Sequence, residues 1–196
     1  MKRIITISML MFLAMNLVVY AQDVGLKTNL FYGIYTQTPN LGVEIALSPK
    51  STLNIESGYN PWNLNGSESN NKKKVHWLAE IDYRYWLCQK FNGNFIGLQV
   101  LGSEYNISQH RLPFLFGKNS ENYRFQGWAA GIGIQYGYQF ILSQHWNLEL
   151  SLGLGYARLN YGKYECRKCG EKLEQVKKNY LGPTKASVSL IYLINK

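Results

Sequence analysis

The segment Tyr164-Glu165-Cys166-Arg167-Lys168-Cys169-Gly170-Glu171-Lys172 holds the side chains best suited to chemistry. A CxxC pair can serve as a redox dithiol, as half of a zinc site or as a small structural disulfide. The redox use needs a thioredoxin-like βαβ setting, which the flanking sequence lacks. Structural zinc takes four ligands, and with no second CxxC or histidine pair, His110 or another chain would have to complete the set. In an oxidising compartment a disulfide between Cys166 and Cys169, pinning the loop, is expected. Cys88 falls near the opposite end of a strand and is expected as a free, half-buried thiol. The remaining chemistry would have to come from His76, His110 and His145, which lie in different connections. The nucleophile elbow GxSxG is missing. A lipid-modifying site at a barrel rim would recruit His76 or His110 with Ser103, Ser108 or Asp82. Isolated loop histidines are ordinarily solvated, so the expectation is a non-enzyme with no catalytic residue, cofactor or metal.

The elements that carry these residues announce themselves by alternation. Trp146, Leu148, Leu150, Leu152, Leu154 and Tyr156 interleave with Asn147, Glu149, Ser151, Gly153, Gly155 and Ala157. The preceding stretch repeats the pattern, with Trp128, Ala130, Ile132, Ile134, Tyr136, Tyr138 and Phe140 on the apolar face. Period-two alternation means strands with one apolar and one polar or tiny face. A strand rises about 3.4 Å per residue, so Trp146 to Tyr156 spans roughly 34 Å. At a tilt of about 40° this covers the apolar band of an outer-membrane barrel, about 25 Å tall with an aromatic girdle at each interface. Soluble sandwiches alternate too, but their strands are usually about five or six residues long. The girdle aromatics are then Tyr59, Trp77, Trp128 and Tyr156 on one side, and Tyr85, Tyr138, Phe140 and Trp146 on the other.

The first residues set the address. Lys2 and Arg3, a mostly apolar run to Val19 and the small-residue site before Gln22 read as a cleavable signal peptide over 1–21. Residues 22–196 form the single remaining domain. No later segment reaches 18 consecutive apolar residues, the minimum for a transmembrane helix. Removing the leader takes two of the 21 Lys and Arg, leaving 19 against 12 Asp and Glu. An exported protein rarely meets nucleic acid, so the positive excess points to anionic lipid headgroups.

In chain order the pattern gives eight strands. The first covers about 25–35 and the second begins near Leu41; the third carries Leu53, Ile55 and Tyr59, and the fourth runs from Val75 to Leu87. The fifth bears Ile96, Leu98 and Val100, the sixth and seventh form the hairpin above, and the eighth carries Ala186 to Ile194. Short turns fall at 48–51, 88–93 and 142–145; after one short reversal near Pro39, long loops fall at 61–74, 107–123 and 162–179. The expected fold is therefore all-β, an eight-stranded antiparallel transmembrane up-and-down barrel with periplasmic turns and termini, and with longer surface loops. Its inward positions include Lys27, Glu44, Glu56, Glu80, Asp82, Arg84, Glu149 and Lys185. An eight-stranded barrel is just wide enough for side chains to fill, so these charges are expected to pair with one another and to leave no wide pore. Outer-membrane lipid is the expected partner. The loops, with Trp62, Tyr105, Phe114, Phe116, Tyr123, Tyr161 and Tyr164 among Lys and Asn, suit a surface protein or glycan. Two alternatives remain: an outer-membrane enzyme acting on lipid or lipopolysaccharide, and a soluble periplasmic β-barrel binding an apolar ligand.

Several short stretches look familiar together: Lys27-Thr28-Asn29-Leu30, Pro39-Asn40-Leu41-Gly42-Val43-Glu44, Gly58-Tyr59-Asn60-Pro61-Trp62, His76-Trp77, Tyr83-Arg84-Tyr85-Trp86, Phe125-Gln126-Gly127-Trp128, Gly153-Leu154-Gly155-Tyr156-Ala157 and Gly182-Pro183-Thr184-Lys185, with the Cys166/Cys169 loop. They resemble a family of small outer-membrane barrels from Bacteroidetes-type bacteria, catalogued as a domain of unknown function. The resemblance implies a cell-surface barrel, often encoded beside fimbria-like surface proteins, with no assigned activity. One departure is the C-terminus, where barrel insertion signals commonly end in an aromatic. This chain ends Tyr192-Leu193-Ile194-Asn195-Lys196, so Tyr192 is expected to take that role.

Overall fold

The alternating stretches fold into strands that close on themselves. The computed structural model describes residues 23–66, 71–110, 112–116, 120–165 and 170–194; the expected signal peptide 1–21 and the pair Cys166 and Cys169 lie outside them. The strands are β1 (Val24–Asn29), β2 (Asn40–Ser48), β3 (Ser51–Asn60), β4 (Asn63–Gly66), β5 (Asn71–Trp86), β6 (Gly93–Ser108), β7 (Tyr123–Ile141), β8 (Trp146–Glu165) and β9 (Lys172–Leu193). Two short helices, α1 (Leu30–Thr36) and α2 (Pro113–Phe116), interrupt them. All pairings are antiparallel. β1 pairs with β9, and β3 pairs with β5, so eight strands form a barrel-like ring with β4 as a flap on β5. Where β1 meets β9, closure removes the unpaired edges that open sheets must protect.

The wall is uneven. β1 to β3 are 6 to 10 residues long, whereas β5 to β9 are 16 to 22. We call the end holding Val24 and Leu193 the near end, and the opposite one the far end. The near-end turns are short, at residues 49–50, 87–92 and 142–145.

Four expectations need correction. The first strand does not reach Tyr35: it stops at Asn29, whose side chain accepts from Tyr32 N at 3.1 Å and caps α1. An Asn at this position satisfies an otherwise orphaned helical N–H, and the alternation of Leu30, Tyr32 and Ile34 is overridden. The loop at 162–179 is mostly strand, because β8 continues to Glu165 and β9 begins at Lys172. Likewise β5 begins at Asn71 and β6 ends at Ser108, which shortens the loops at 61–74 and 107–123. Cys88 is a free thiol, but it is exposed rather than half-buried, because its turn faces outward at the near end.

The faces follow the alternation. Leu152 is 70% exposed and Ile134 61%, whereas their neighbours Ser151 and Gln135 are buried. A bulge at Thr184 shifts β9 by one residue between the Gly153–Lys185 and Leu154–Pro183 pairs, so Leu181 and Ala186 both face outward. Ala46, Phe91, Ile191 and Leu193 fill the near end from inside, with Phe91 turned in by a left-handed residue (φ 59°). The far end is closed by the loop after β6. Its Phe116 stacks on Phe125 at 4.3 Å between ring centres and meets Tyr161 edge-on at 5.1 Å. Phe116 is thus an interior side chain and not a loop-surface aromatic.

Between these plugs, β7 and β8 approach closely at their glycines. A Cβ at Gly155 would fall on the Ile132 carbonyl oxygen and the Gly133 Cα, whereas one at Gly102 would meet nothing. Gly155→Ala should therefore lower the thermal unfolding midpoint while Gly102→Ala leaves it unchanged, read by far-ultraviolet circular dichroism.

Candidate functional site

The interior between the two plugs is charged. Lys27 comes from β1, Glu44 from β2, Glu56 from β3, Glu80, Asp82 and Arg84 from β5, Glu149 from β8 and Lys185 from β9. All eight are buried, with Glu44, Asp82, Arg84 and Glu149 at 0% exposure. Each sits at an alternate position of its strand, so closing the ring brings side chains distant in sequence to one axis.

Two linked groups result. In the first, Arg84 Nη1 donates to Glu44 Oε2 at 2.7 Å and to Glu149 Oε2 at 2.8 Å. Lys27 Nζ donates to both oxygens of Glu149 at 2.8 Å. In the second, Lys185 Nζ donates to Glu80 Oε2 at 2.5 Å and to Asp82 Oδ2 at 3.0 Å, with Glu56 Oε2 at 3.6 Å. Arg84 Nη2 joins the groups by donating to Asp82 Oδ2 at 3.2 Å. Neutral side chains extend the network: Thr52 donates to Glu44 at 2.6 Å, Asn54 to Asp82 at 2.9 Å and Trp86 Nε1 to Thr52 at 3.0 Å. The Arg84 guanidinium also lies 4.6 Å over the Phe95 ring.

The cluster holds three cations and five carboxylates, so the net positive charge of the chain resides outside it. The imbalance gathers around Lys185, where three carboxylates share one ammonium. Glu56 Oε2 has no hydrogen-bond partner among the described residues, and neither do the buried amides of Gln135 and Gln139.

The histidines have separate tasks. His76 points inward, its Nε2 lying 2.6 Å from the Tyr32 hydroxyl and its Nδ1 2.6 Å from the Lys74 carbonyl. Ser103 donates to the Trp77 carbonyl at 2.6 Å, and Asp82 is taken by Lys185, Arg84 and Asn54. Of the residues a rim enzyme would recruit, His76, Ser103 and Asp82 are thus each held by a different partner. His145 lies at the near end, 3.0 Å from the Leu193 carbonyl and stacked on Tyr192. His110 follows β6 at the far end, where burial and then the charges of Lys74 and Lys72 push its pKa down to about 4. Among the described residues no group of His, Cys, Asp and Glu is arranged to hold a metal ion.

Sequence reasoning missed Tyr32, Thr38 and Asn60. Asn60 Nδ2 donates to the Thr36 carbonyl and to Thr38 Oγ1, both at 3.0 Å, and so ties α1 to β3. The only signal was Asn29 as a helix-capping residue in front of an apolar run.

Ring and interior together define a barrel-like all-β protein whose lumen is filled by an ion-pair network. Residues 7–194 match the family model described as Protein of unknown function (DUF3575), and the chain belongs to that family. No curated protein and no solved structure matches it.

Removing one partner from a buried ion pair costs about 3–5 kcal/mol. Arg84→Met should lose at least that much in urea unfolding, whereas Glu56→Gln, which lowers the acid excess around Lys185, should leave stability equal or higher. A second measurement concerns His110. Its folded pKa of about 4 lies below the ordinary value of 6.5, so the folded state favours the neutral ring. Stability is complete above the unfolded value and falls as pH drops from 6.5 towards 4, because only the unfolded chain takes up the proton there. After correction for the intrinsic rate, hydrogen-exchange protection at Phe116, whose N–H is bonded to the Leu112 carbonyl, should fall over that window, and His110→Gln should abolish the effect.

Proposed function

We propose that this chain is a small integral outer-membrane β-barrel without catalytic activity, exported by its N-terminal leader, that presents its far-end hairpins to a surface partner. One observation carries the reading: the polarity of the ring is inverted. Its outer face bears Leu98, Ile132, Ile134, Leu152 and Leu154, all at least 60% exposed, while Lys27, Arg84, Glu44 and Glu149 are inside. Soluble monomers rarely expose contiguous apolar patches above a few hundred Å². An apolar belt around a filled ring is the arrangement hydrocarbon favours, with the backbone groups of the strands paired along the ladders of the wall. Tyr85, Tyr138, Phe140 and Trp146 face outward towards the near end, and Tyr59, Trp77, Trp128 and Tyr156 towards the far end. Aromatics at two levels suit the two interfaces of a bilayer.

On this reading the short near-end turns and both chain ends face the periplasm, and the extended β8–β9 hairpin stands outside. Lys163 lies 3.7 Å over the Tyr123 ring and Arg124 4.5 Å over Tyr164. Tyrosine and arginine are the residues that most often carry binding energy at interfaces, so this part of the far-end surface suits a surface protein or a glycan. The family resemblance adds fimbria-like proteins to the candidates. Against an enzyme acting on lipid or lipopolysaccharide stands the dispersal of Ser103, His76 and Asp82 described above. Against a soluble barrel for an apolar ligand stands the apolar outer face, with Leu152 and Leu181 exposed by 70% and 84%.

The paired substitutions Leu152→Arg and Ser151→Arg test the reading. In lipid, Leu152→Arg should cost roughly 2–4 kcal/mol at the bilayer midplane, measured by folding into phosphatidylcholine vesicles, with no such cost in folding to a water-soluble form. Resistance of the wild type to sodium carbonate extraction is expected alongside it, and release into the soluble fraction would contradict the proposal.

A further inference from the structure

The wall of the ring is interrupted on one side, and the interruption leads to an apolar chamber. β1 ends at Asn29, opposite Ser189 of β9, while β9 continues far-endwards to Lys172 with only β8 beside it. Pro183, which has no N–H to offer a neighbour, lies in this one-sided stretch next to the bulge at Thr184. The place a continuing β1 would take is filled by α1, which packs against β9. Among the described residues no backbone hydrogen bond joins the two. The helix is held from its other side, through Asn60 to the Thr36 carbonyl and through Trp62 Nε1 to the Gln37 carbonyl at 2.7 Å.

α1 therefore seals the wall without being woven into it. Phe31, Ile34 and Tyr35 are exposed, Ile34 by 79%, and Phe31 lies beside the outward Leu152, Ala186 and Val188. Tyr32 turns inward to the His76 ring. Behind the helix lies a partly open cavity of about 310 Å³ lined by Leu101, Ile107, Leu115 and Leu159, with Pro183 and Thr184 where β9 has only β8 beside it. The small side chains of Ala129 and Ala157 leave this space open. It lies at the lower end of the volumes that ligand sites occupy, and apolar cavities stay dry and accept apolar guests.

We propose that this chamber binds a hydrocarbon chain, the acyl chain of a membrane lipid, which passes through the wall beside α1. The inference rests on the reading that the ring spans a membrane. Two features choose the occupant. At the far end the Phe116–Phe125–Tyr161 stack fills the interior of the ring and narrows the axial route from solution. The interrupted side faces the apolar belt instead, flanked by the exposed Phe31, Ile34 and Leu181, and acyl chains are the abundant species there. The Tyr32–His76 bond is the inner latch of the helix.

The test uses the full mature chain in phosphatidylcholine vesicles doped with a phosphatidylcholine carrying a diazirine on one acyl chain. Flotation of the vesicles is scored first, then adducts are mapped by mass spectrometry after irradiation. Adducts are expected inside, on Leu101, Leu159 or Phe116, as well as on the outward Ile132 and Leu154. Ala157→Phe should reduce the interior adducts about ten-fold, the loss expected when filling the space removes about 1.4 kcal/mol of binding. Ala129→Leu should reduce them less, and the outward Ala130→Phe should leave them unchanged. Tyr32→Phe should raise the interior labelling rate. Far-ultraviolet circular dichroism checks that each variant folds. Adducts confined to the belt of a floating wild type, or interior adducts indifferent to Ala157→Phe and Ala129→Leu, would overturn the chamber alone. Failure to float would overturn the membrane reading and the chamber with it.

Discussion

The structure depends on charges that face one another across a narrow ring. Arg84 on β5 reaches Glu44 on β2 and Glu149 on β8, and Lys185 on β9 reaches Glu80 and Asp82 on β5 and Glu56 on β3. These contacts run across the lumen rather than along the ladder, so they set the diameter that backbone pairing alone leaves open. A buried charge without a partner is costly, and the ring satisfies its charges only when all of these strands stand in one register. The ion pairs thereby act as a device of specificity as much as of stability: a one-residue slip of any strand would turn a charge outward and an apolar residue inward.

That register has a consequence outside. With charges, amides and glycines consumed by the lumen, the alternate positions are free to be uniformly apolar, and they form the belt around the ring. The interior is then divided into three levels: an apolar plug at the near end with Phe91, the ion-pair network, and the aromatic plug at the far end with Phe116. The unequal height of the wall follows from Asn29 and Asn60. These side chains favour a capped helix over a continued first strand, and α1 sits where two further strand pairs would otherwise be needed.

The faces were legible because period-two alternation is imposed by two different environments at once, lumen and belt. Leu152 beside Ser151, and Ile81 beside Asp82, state their sides unambiguously. Legibility failed where one of those environments ends. Gly162 to Glu165 and Lys172 to Asn179 are strand in the protein but polar on both faces, and a strand surrounded by water has no reason to alternate. The bulge at Thr184 and the inward Phe116 depend on partners remote in sequence, on β8 and β7. Leu30 to Thr36 satisfied a strand pattern and a helix pattern alike, and the capping bond to Asn29 decided between them. The charged interior could be written down residue by residue, whereas the partners within it, and the place of His76 against Tyr32, required the closed ring.

The central claim is that even-numbered positions of β8 contact hydrocarbon while odd-numbered ones contact the filled lumen. Spin labels placed singly at residues 147 to 157, with Cys88, Cys166 and Cys169 replaced by serine, measure this directly in reconstituted vesicles. The account predicts that oxygen accessibility alternates with period two and peaks at Leu152, with a water-soluble nickel relaxant excluded from the same sites. A flat profile, or nickel reaching Leu150, Leu152 and Leu154, would contradict it.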